Sequence, residues 1–333
     1  MNRILVTGGA GYIGSHCCKA LAAAGFEPVV YDNLSTGHRH FCKWGPLVPG
    51  DIRDPDTLSR TIQAMRPVAV MHFAAQSIVP RSTADPQETF DVNVAGTLNL
   101  LEVMKTYGVN QMVFSSTCAI YGNAASGPIG EDAAGSPITP YGTSKAMVES
   151  ILASYEAAYG LRSVRLRYFN AAGAAEDAAV GEWHEPETHL IPIVLDVALG
   201  LRPALQINGT DYDTADGTAV RDYIHVEDLA RAHVAALSHL LDGGGGVSVN
   251  VGTGAGHSVS EIVQAVSRVT RRPVPTVHGP RRAGDPSRLV ANARRAGSLL
   301  AWQPRKDIEA MIRDAWAFHQ DLRRTEGIST LIA

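Results

Sequence analysis

Residues 3–14 read RILVTGGAGYIG, an apolar run that breaks into glycines and continues as a helical pattern to about residue 24. Gly9, Gly11 and Gly14 satisfy G-x-G-x-x-G, and Gly8, Gly11 and Gly14 offer an alternative three-residue spacing. A glycine turn between a strand and a helix lets the backbone approach a pyrophosphate, with the helix N-terminus facing its charge. A second apolar run, 27–32 (EPVVYD), ends at Asp32. A carboxylate at that point binds both hydroxyls of an adenosine ribose and repels a 2′-phosphate, so the pattern predicts NAD rather than NADP. The competing reading of Asp32 is a helix or turn cap.

Working outward, runs at 68–73 (VAVMHF), 111–116 (QMVFSS) and 163–168 (SVRLRY) continue the series. Helical stretches near 54–65, 87–107 and 141–159 separate them. Short apolar runs alternating with helices predict parallel strands joined by right-handed crossovers, an α/β Rossmann-type doubly wound sheet. The second half is less regular: a helix near 190–200, loops up to Gly217, a strand at 220–226, and a helix at 227–241. A polar turn at Gly243–Gly246 and helices near 258–270 and 305–323 follow. This predicts a smaller mixed α/β domain threaded through the first. The expected division is 1–172 plus about 220–252 for the nucleotide, and 173–219 plus about 253–333 for a substrate.

Composition removes other classes. Among 333 residues, 29 Lys and Arg stand against 33 Asp and Glu, a net charge of −4, so a polybasic nucleic-acid binder is not expected. No apolar run approaches the ~18 residues that span a membrane, and Met1-Asn2-Arg3 leads straight into Ile4 without room for a signal-peptide core. Cys17, Cys18, Cys42 and Cys118 match neither a disulfide framework nor a zinc site, so a reduced cytoplasmic compartment and no metal are expected. The 32 glycines exceed the usual share of about 7%, which the phosphate turn begins to explain.

Residues 140–145 read PYGTSK. Pro140 starts a helix, and Tyr141 and Lys145 at i, i+4 then share one face. An ammonium beside a phenol, together with the positive ring of an oxidised nicotinamide, favours phenolate over its ordinary pKa of about 10. An exposed helix pair is the alternative. Thr117 supports the first reading, because it ends a strand at the carboxyl edge of the sheet, where such folds bind ligands.

The motifs TGGAGYIG (7–14), YDN (31–33), GDIRD (50–54), HFAA (72–75), NVAGT (93–97) and YGTSK resemble the extended short-chain dehydrogenase/reductase family. RYFNAAG (167–173), HLIP (189–192), DGTAVRDYIHVEDLA (216–230) and PRRAGD (280–285) resemble its sugar-nucleotide 4-epimerases, in the right order from about residue 3 to 320. The resemblance implies that NAD stays bound while UDP-glucose and UDP-galactose interconvert by oxidation at carbon 4, rotation of the keto sugar and return of hydride. By resemblance Tyr141, Lys145 and Thr117 are catalytic: Tyr141 takes the 4-OH proton, Thr117 hydrogen-bonds that hydroxyl, and Lys145 holds the nicotinamide ribose. Gly8, Gly11, Tyr12, Ile13, Gly14, Asp32 and Asn33 are implied to meet the cofactor. So are Asp51, Ile52, Phe73, Ala74, Ala75, Asn93, Ser115 and Tyr168. Ser77 stands where relatives often carry a lysine near the nicotinamide phosphates. For the UDP-sugar, Arg221, Arg282 and Asn170 are implied at the diphosphate, Asp285 at the uridine ribose, and His189 and Leu190 along the cleft. A homodimer through the two long helices is also implied.

Dehydratases and decarboxylases of similar scaffold place a carboxylate just after the Ser/Thr, whereas Thr117 is followed by Cys118, Ala119 and Ile120. Cys118 reads as packing rather than as a nucleophile. Alternative substrates are UDP-xylose/UDP-arabinose, an N-acetylhexosamine or a uronate, with Leu289 at the position whose bulk decides. A non-catalytic NAD-binding scaffold need not keep Thr117, Tyr141 and Lys145 together. Tyr223, His225 and Asp228 read as structural.

Overall fold

The computed structural model describes residues 2–123, 127–282 and 284–325. Ala283, inside the 280–285 motif, and residues 326–333 of the expected second domain lie outside the described residues. The first half of the chain supplies β1 (Arg3–Thr7), β2 (Glu27–Asp32), β3 (Leu47–Pro49), β4 (Ala69–His72), β5 (Gln111–Thr117) and β6 (Arg162–Tyr168). Shorter strands follow: β7 (Asn170–Ala172), β8 (Leu205–Asn208), β9 (Val220–His225) and β10 (Val247–Val251). The last are β11 (Gly256–Ser258), β12 (Thr276–Gly279) and β13 (Arg288–Leu289).

A seven-stranded sheet runs in the order β10-β6-β5-β4-β1-β2-β3, with every pairing parallel. Because strand order reverses between β1 and β4, the crevice at their carboxyl ends is where ligands of an open α/β sheet bind. Successive side chains of β1 serve opposite faces: Ile4 and Val6 pack in one core layer, Leu5 in the other. Burial on both faces is why the strand reads as an unbroken apolar run.

The strands read at 3–7, 27–32, 68–73, 111–116 and 163–168 are all present. Two edge strands were not anticipated, so the sheet holds seven strands instead of five. One is β3, only three residues long and ending in Pro49; the other is β10, hidden behind Gly243–Gly246. The strand read at 220–226 stops at His225 and lies in a smaller sheet, order β11-β9-β13 with β7 also on β9, while the helix after it packs on the large sheet. The helix read at 87–107 is three segments in line, Pro86–Phe90, a wide π turn Asp91–Ala95, and Gly96–Thr106. Asp54 starts the helix Pro55–Met65 by accepting from the N–H groups of Asp56 and Thr57.

The smaller domain has its own core, in which Val194, Leu195, Ile262, Val266 and Ile312 are fully buried. Its C-terminal part is tied to the large sheet by Asp228. Oδ2 of that residue accepts from the N–H groups of Arg305 at 2.7 Å and Lys306 at 2.9 Å, and its carbonyl accepts from Trp302 Nε1 at 2.9 Å. His225 is equally structural: Nδ1 accepts from the Glu227 N–H at 3.0 Å while Nε2 faces Asp314 at 3.1 Å. Asp228→Ala leaves two backbone donors without their acceptor and is expected to cost about 2–4 kcal/mol in urea unfolding. A loss below about 1 kcal/mol would contradict this tie.

Candidate active site

At the carboxyl edge of β1 the chain turns so tightly that side chains are excluded. Gly8 has φ +72°, and a Cβ there would sit 2.5 Å from the Ala74 nitrogen; a Cβ on Gly14 would sit 2.2 Å from the Gly8 carbonyl oxygen. Of the four glycines only Gly8 has a positive φ, and a Cβ on Gly9 would sit 2.9 Å from the Val6 carbonyl oxygen, whereas one on Gly11 would meet only the Gly8 carbonyl oxygen at 3.3 Å. The helix Tyr12–Ala23 begins at Gly11 with no side-chain cap and no acidic residue in its first turn. Its first N–H groups and the positive end of its dipole are left to an anion. A pyrophosphate fits this cradle.

Asp32 does two jobs. Its carboxylate accepts from the N–H of Ala10 at 2.9 Å and of Leu34 at 2.8 Å, so it braces the turn as well as facing the ribose position. Burial pushes its pKa up, and those two donors pull it back. Beside it, Asn33 donates to Asp51 at 2.8 Å, and Arg53, not anticipated from sequence, pairs with the same carboxylate at 2.8 Å. The Arg53 guanidinium holds Asp51 well below the usual carboxylate range. Tyr12 spans the cavity floor, its hydroxyl donating to the Gly173 carbonyl at 2.7 Å.

These residues open into a cavity of about 970 Å³. With one exception, every residue singled out above for cofactor or substrate lines it, including Ser77 and Leu289. That volume is at the upper end for a ligand pocket and suits a dinucleotide and a sugar nucleotide together. The exception is Asn93, which lies behind the wall, 2% exposed. Its Oδ1 accepts from Gln76 N at 2.7 Å, and its Nδ2 donates to the Gln76 carbonyl at 3.1 Å and to Ser144 Oγ at 2.9 Å. Asn93 thus ties the end of β4 to the helix that carries Tyr141 and Lys145. A second brace, His72, accepts from Thr7 through Nδ1 at 2.6 Å and donates through Nε2 to Thr97 at 2.9 Å, because the Thr97 hydroxyl itself donates to the Asn93 carbonyl. Burial lowers the His72 pKa to about 3, so the ring is neutral.

The helix Pro140–Tyr159 starts with Pro140 in its first turn and the Thr139 hydroxyl accepting from Gly142 N–H at 3.1 Å. Lys145 Nζ donates to the Ser115 carbonyl at 2.8 Å and lies 4.8 Å from the Phe114 ring centroid and 5.9 Å from that of Tyr141. Ser115 Oγ and the Tyr168 hydroxyl share a hydrogen bond of 2.5 Å at the same edge. Burial decides the charges here. It pushes Tyr141 up to about 12, against the pull of its hydrogen bond with Thr117, and lowers Lys145 to about 7, against the attraction of Glu149. The pull expected of Lys145 toward the phenolate therefore works against burial at both groups. Burial disfavours the ammonium and the phenolate alike, so the charge that favours ionisation of Tyr141 must also come from what binds beside it. Burial also raises the Cys118 thiol to about 12, which keeps it protonated and inert.

At the far end of the cavity Arg221, on β9, pairs with Asp285 and donates to the Val220 carbonyl at 2.7 Å. Arg282 is exposed on the loop beside them. His189, immediately before the helix Leu190–Ala198, pairs with Glu182, a buried carboxylate that no sequence signal marked.

Comparison with known proteins agrees with this geometry. Residues 4–252 match the NAD dependent epimerase/dehydratase family. The chain is 52% identical over 326 residues to the UDP-glucose 4-epimerase of Rhizobium meliloti, covering 98% of this chain and 99% of that one. It is similar to the crystal structure of UDP-glucose 4-epimerase from Brucella ovis in complex with NAD. That match has a TM-score of 0.93 and 50% identity, over 96% of this chain and 98% of that one. The structure of UDP-glucose-4-epimerase from Stenotrophomonas maltophila with bound NAD and formylated UDP-arabinopyranose has a TM-score of 0.95 and 40% identity. It covers 98% of this chain and 100% of that one. The chain belongs to the NAD dependent epimerase/dehydratase family.

Proposed function

We propose that the chain interconverts UDP-glucose and UDP-galactose at carbon 4 of the sugar, with NAD held throughout. The observation that carries this is the meeting of Thr117, Tyr141 and Lys145 in the middle of one cavity. A phosphate cradle lies at one end of it and Arg221, Arg282 and Asp285 at the other. The NAD and UDP-sugar bound in the neighbouring structures support both ends of the assignment.

Bound NAD supplies reversible hydride acceptance from carbon 4. Tyr141 removes the proton of the 4-OH and returns it on the other face, and Thr117 hydrogen-bonds that hydroxyl. Lys145 contributes whatever positive charge it retains beside the phenol, where cations must offset the burial that raises Tyr141. Arg221 and Arg282 take diphosphate oxygens, for which the planar guanidinium is suited. To do so Arg221 exchanges part of its pairing with Asp285, which is then free for the uridine ribose hydroxyls. Asn170 adds a contact at the diphosphate, and Leu289 bounds the space beside the sugar. The large sheet holds the cofactor and the smaller sheet, with its helices, holds the UDP-sugar.

Incubated without added NAD, the purified protein is expected to interconvert UDP-glucose and UDP-galactose faster than the N-acetylhexosamine, pentose or uronate pairs. Tyr141→Phe should keep its nucleotide, released on denaturation as NAD, and lose turnover by at least about 10². Recovery of NADP, comparable N-acetylhexosamine turnover, or an active Phe variant would each overturn the corresponding part.

We further propose a cytoplasmic homodimer. No described helix is long and apolar enough to cross a membrane. Exposed apolar side chains support a paired surface on the two long helices: Leu98 (38% exposed) on one, Met147 (43%) and Tyr159 (54%) on the other. Sedimentation at micromolar concentration is expected to give twice the mass of the chain; a monomer would exclude the pairing.

A further inference from the structure

Glu182 and His189 form a pair whose two ends face differently. The carboxylate side chain is 4% exposed, and the imidazole is 56% exposed and lines the cavity with Leu190. A carboxylate lining the same cavity as the expected diphosphate contacts opposes an anion unless its charge is met, and an imidazolium paired with it supplies that counter-charge. The surrounding hydrogen bonds hold the imidazole in that position. Oε1 of Glu187 accepts from the backbone N–H of Thr188 at 2.7 Å and of His189 at 2.8 Å, fixing the chain on which the ring is mounted. His189 also occupies the N-cap of the helix Leu190–Ala198 without capping it through its side chain.

We infer that Glu182 is a positioning residue that holds His189 as a third cationic contact to the substrate diphosphate, beside Arg221 and Arg282. The inference rests on the UDP-sugar reading above. Groups facing the pair are Glu187 and His184 from the same loop, Tyr12 from the first helix, and His319 from the C-terminal helix. His184 stands 3.6 Å from Glu182 and 3.5 Å from Glu187, sharing their charge. Burial works against an imidazolium at His189, but Glu182 and Glu187 outweigh it and raise the ring to about 9. The charge is therefore present below that pH and lost as pH rises through it. Without Glu182 the loss moves toward the ordinary histidine range near 6.5.

The test is calorimetric titration with UDP-glucose, whose diphosphate keeps its charge between about pH 6.5 and 8, on the NAD-loaded enzyme. Wild type is expected to bind equally across that range. Glu182→Gln should match wild type most nearly at the acid end and weaken roughly tenfold by about pH 8, the size of a lost charge-assisted contact. His189→Asn removes the ring from the exposed side, where the fold is not at risk. It should bind weakly at every pH, and the double variant should behave like it. A flat Glu182→Gln profile parallel to wild type overturns the inference while leaving the UDP-sugar reading intact. Absence of binding by wild type overturns that reading, and the inference with it.

Discussion

The ammonium of Lys145 is buried at the carboxyl edge of the sheet with the Ser115 carbonyl as its hydrogen-bond acceptor, and the surrounding structure either keeps it there or preserves its charge. Glu149, one turn along the same helix, is the charge that favours the ammonium. It is itself held by Ser116 at 2.5 Å and by Arg167 Nε at 3.0 Å, and Arg167 reaches on to Tyr121, whose hydroxyl donates to Asn250 of the edge strand β10 at 2.7 Å. On the other side Asn93 and Ser144 lock the helix to the end of β4. A buried cation is tolerated only with such partners, and losing one of them exposes the cost of burial. That cost falls on the phenolate of Tyr141 and the ammonium of Lys145 alike, so both charged forms depend on the groups brought up against them.

The cavity is built so that its two ends work by different physics. At the cofactor end, backbone does the binding. Glycines leave the first N–H groups of the helix open to an anion, and Asp32 braces that turn through the Ala10 N–H. At the proposed substrate end the lining carries side-chain charges, and they are paired with each other. Arg221 pairs with Asp285 and His189 with Glu182, so each charge in these pairs has its counter-charge within the fold.

Much of this was legible in the sequence, for a physical reason. Strands β1, β2, β4, β5 and β6 are buried on both faces and so read as continuous apolar runs, whereas β3 and β10 lie at sheet edges and are short or interrupted. The smaller sheet joins β7, β9, β11 and β13 across long stretches of chain, and local patterns carry no trace of such pairing. Spacing placed Tyr141 and Lys145 on one helix face, but burial, which sets their protonation, is a property of the assembled fold. Asn93 was legible as part of a motif and not as a brace, because its partners Gln76 and Ser144 are brought together only by the sheet. Glu182 carried no signal and Arg53 none beyond its place in the GDIRD motif, both being ordinary charges until the fold sets them against His189 and Asp51.

The central claim is that hydrogen leaves carbon 4 and returns to it without mixing with water. Mass spectrometry of UDP-galactose formed from UDP-glucose deuterated at carbon 4, in ordinary water and without added cofactor, tests this directly. The account predicts that the label stays on carbon 4 through many turnovers. Its loss to solvent would contradict the account and require proton exchange at carbon in place of hydride return.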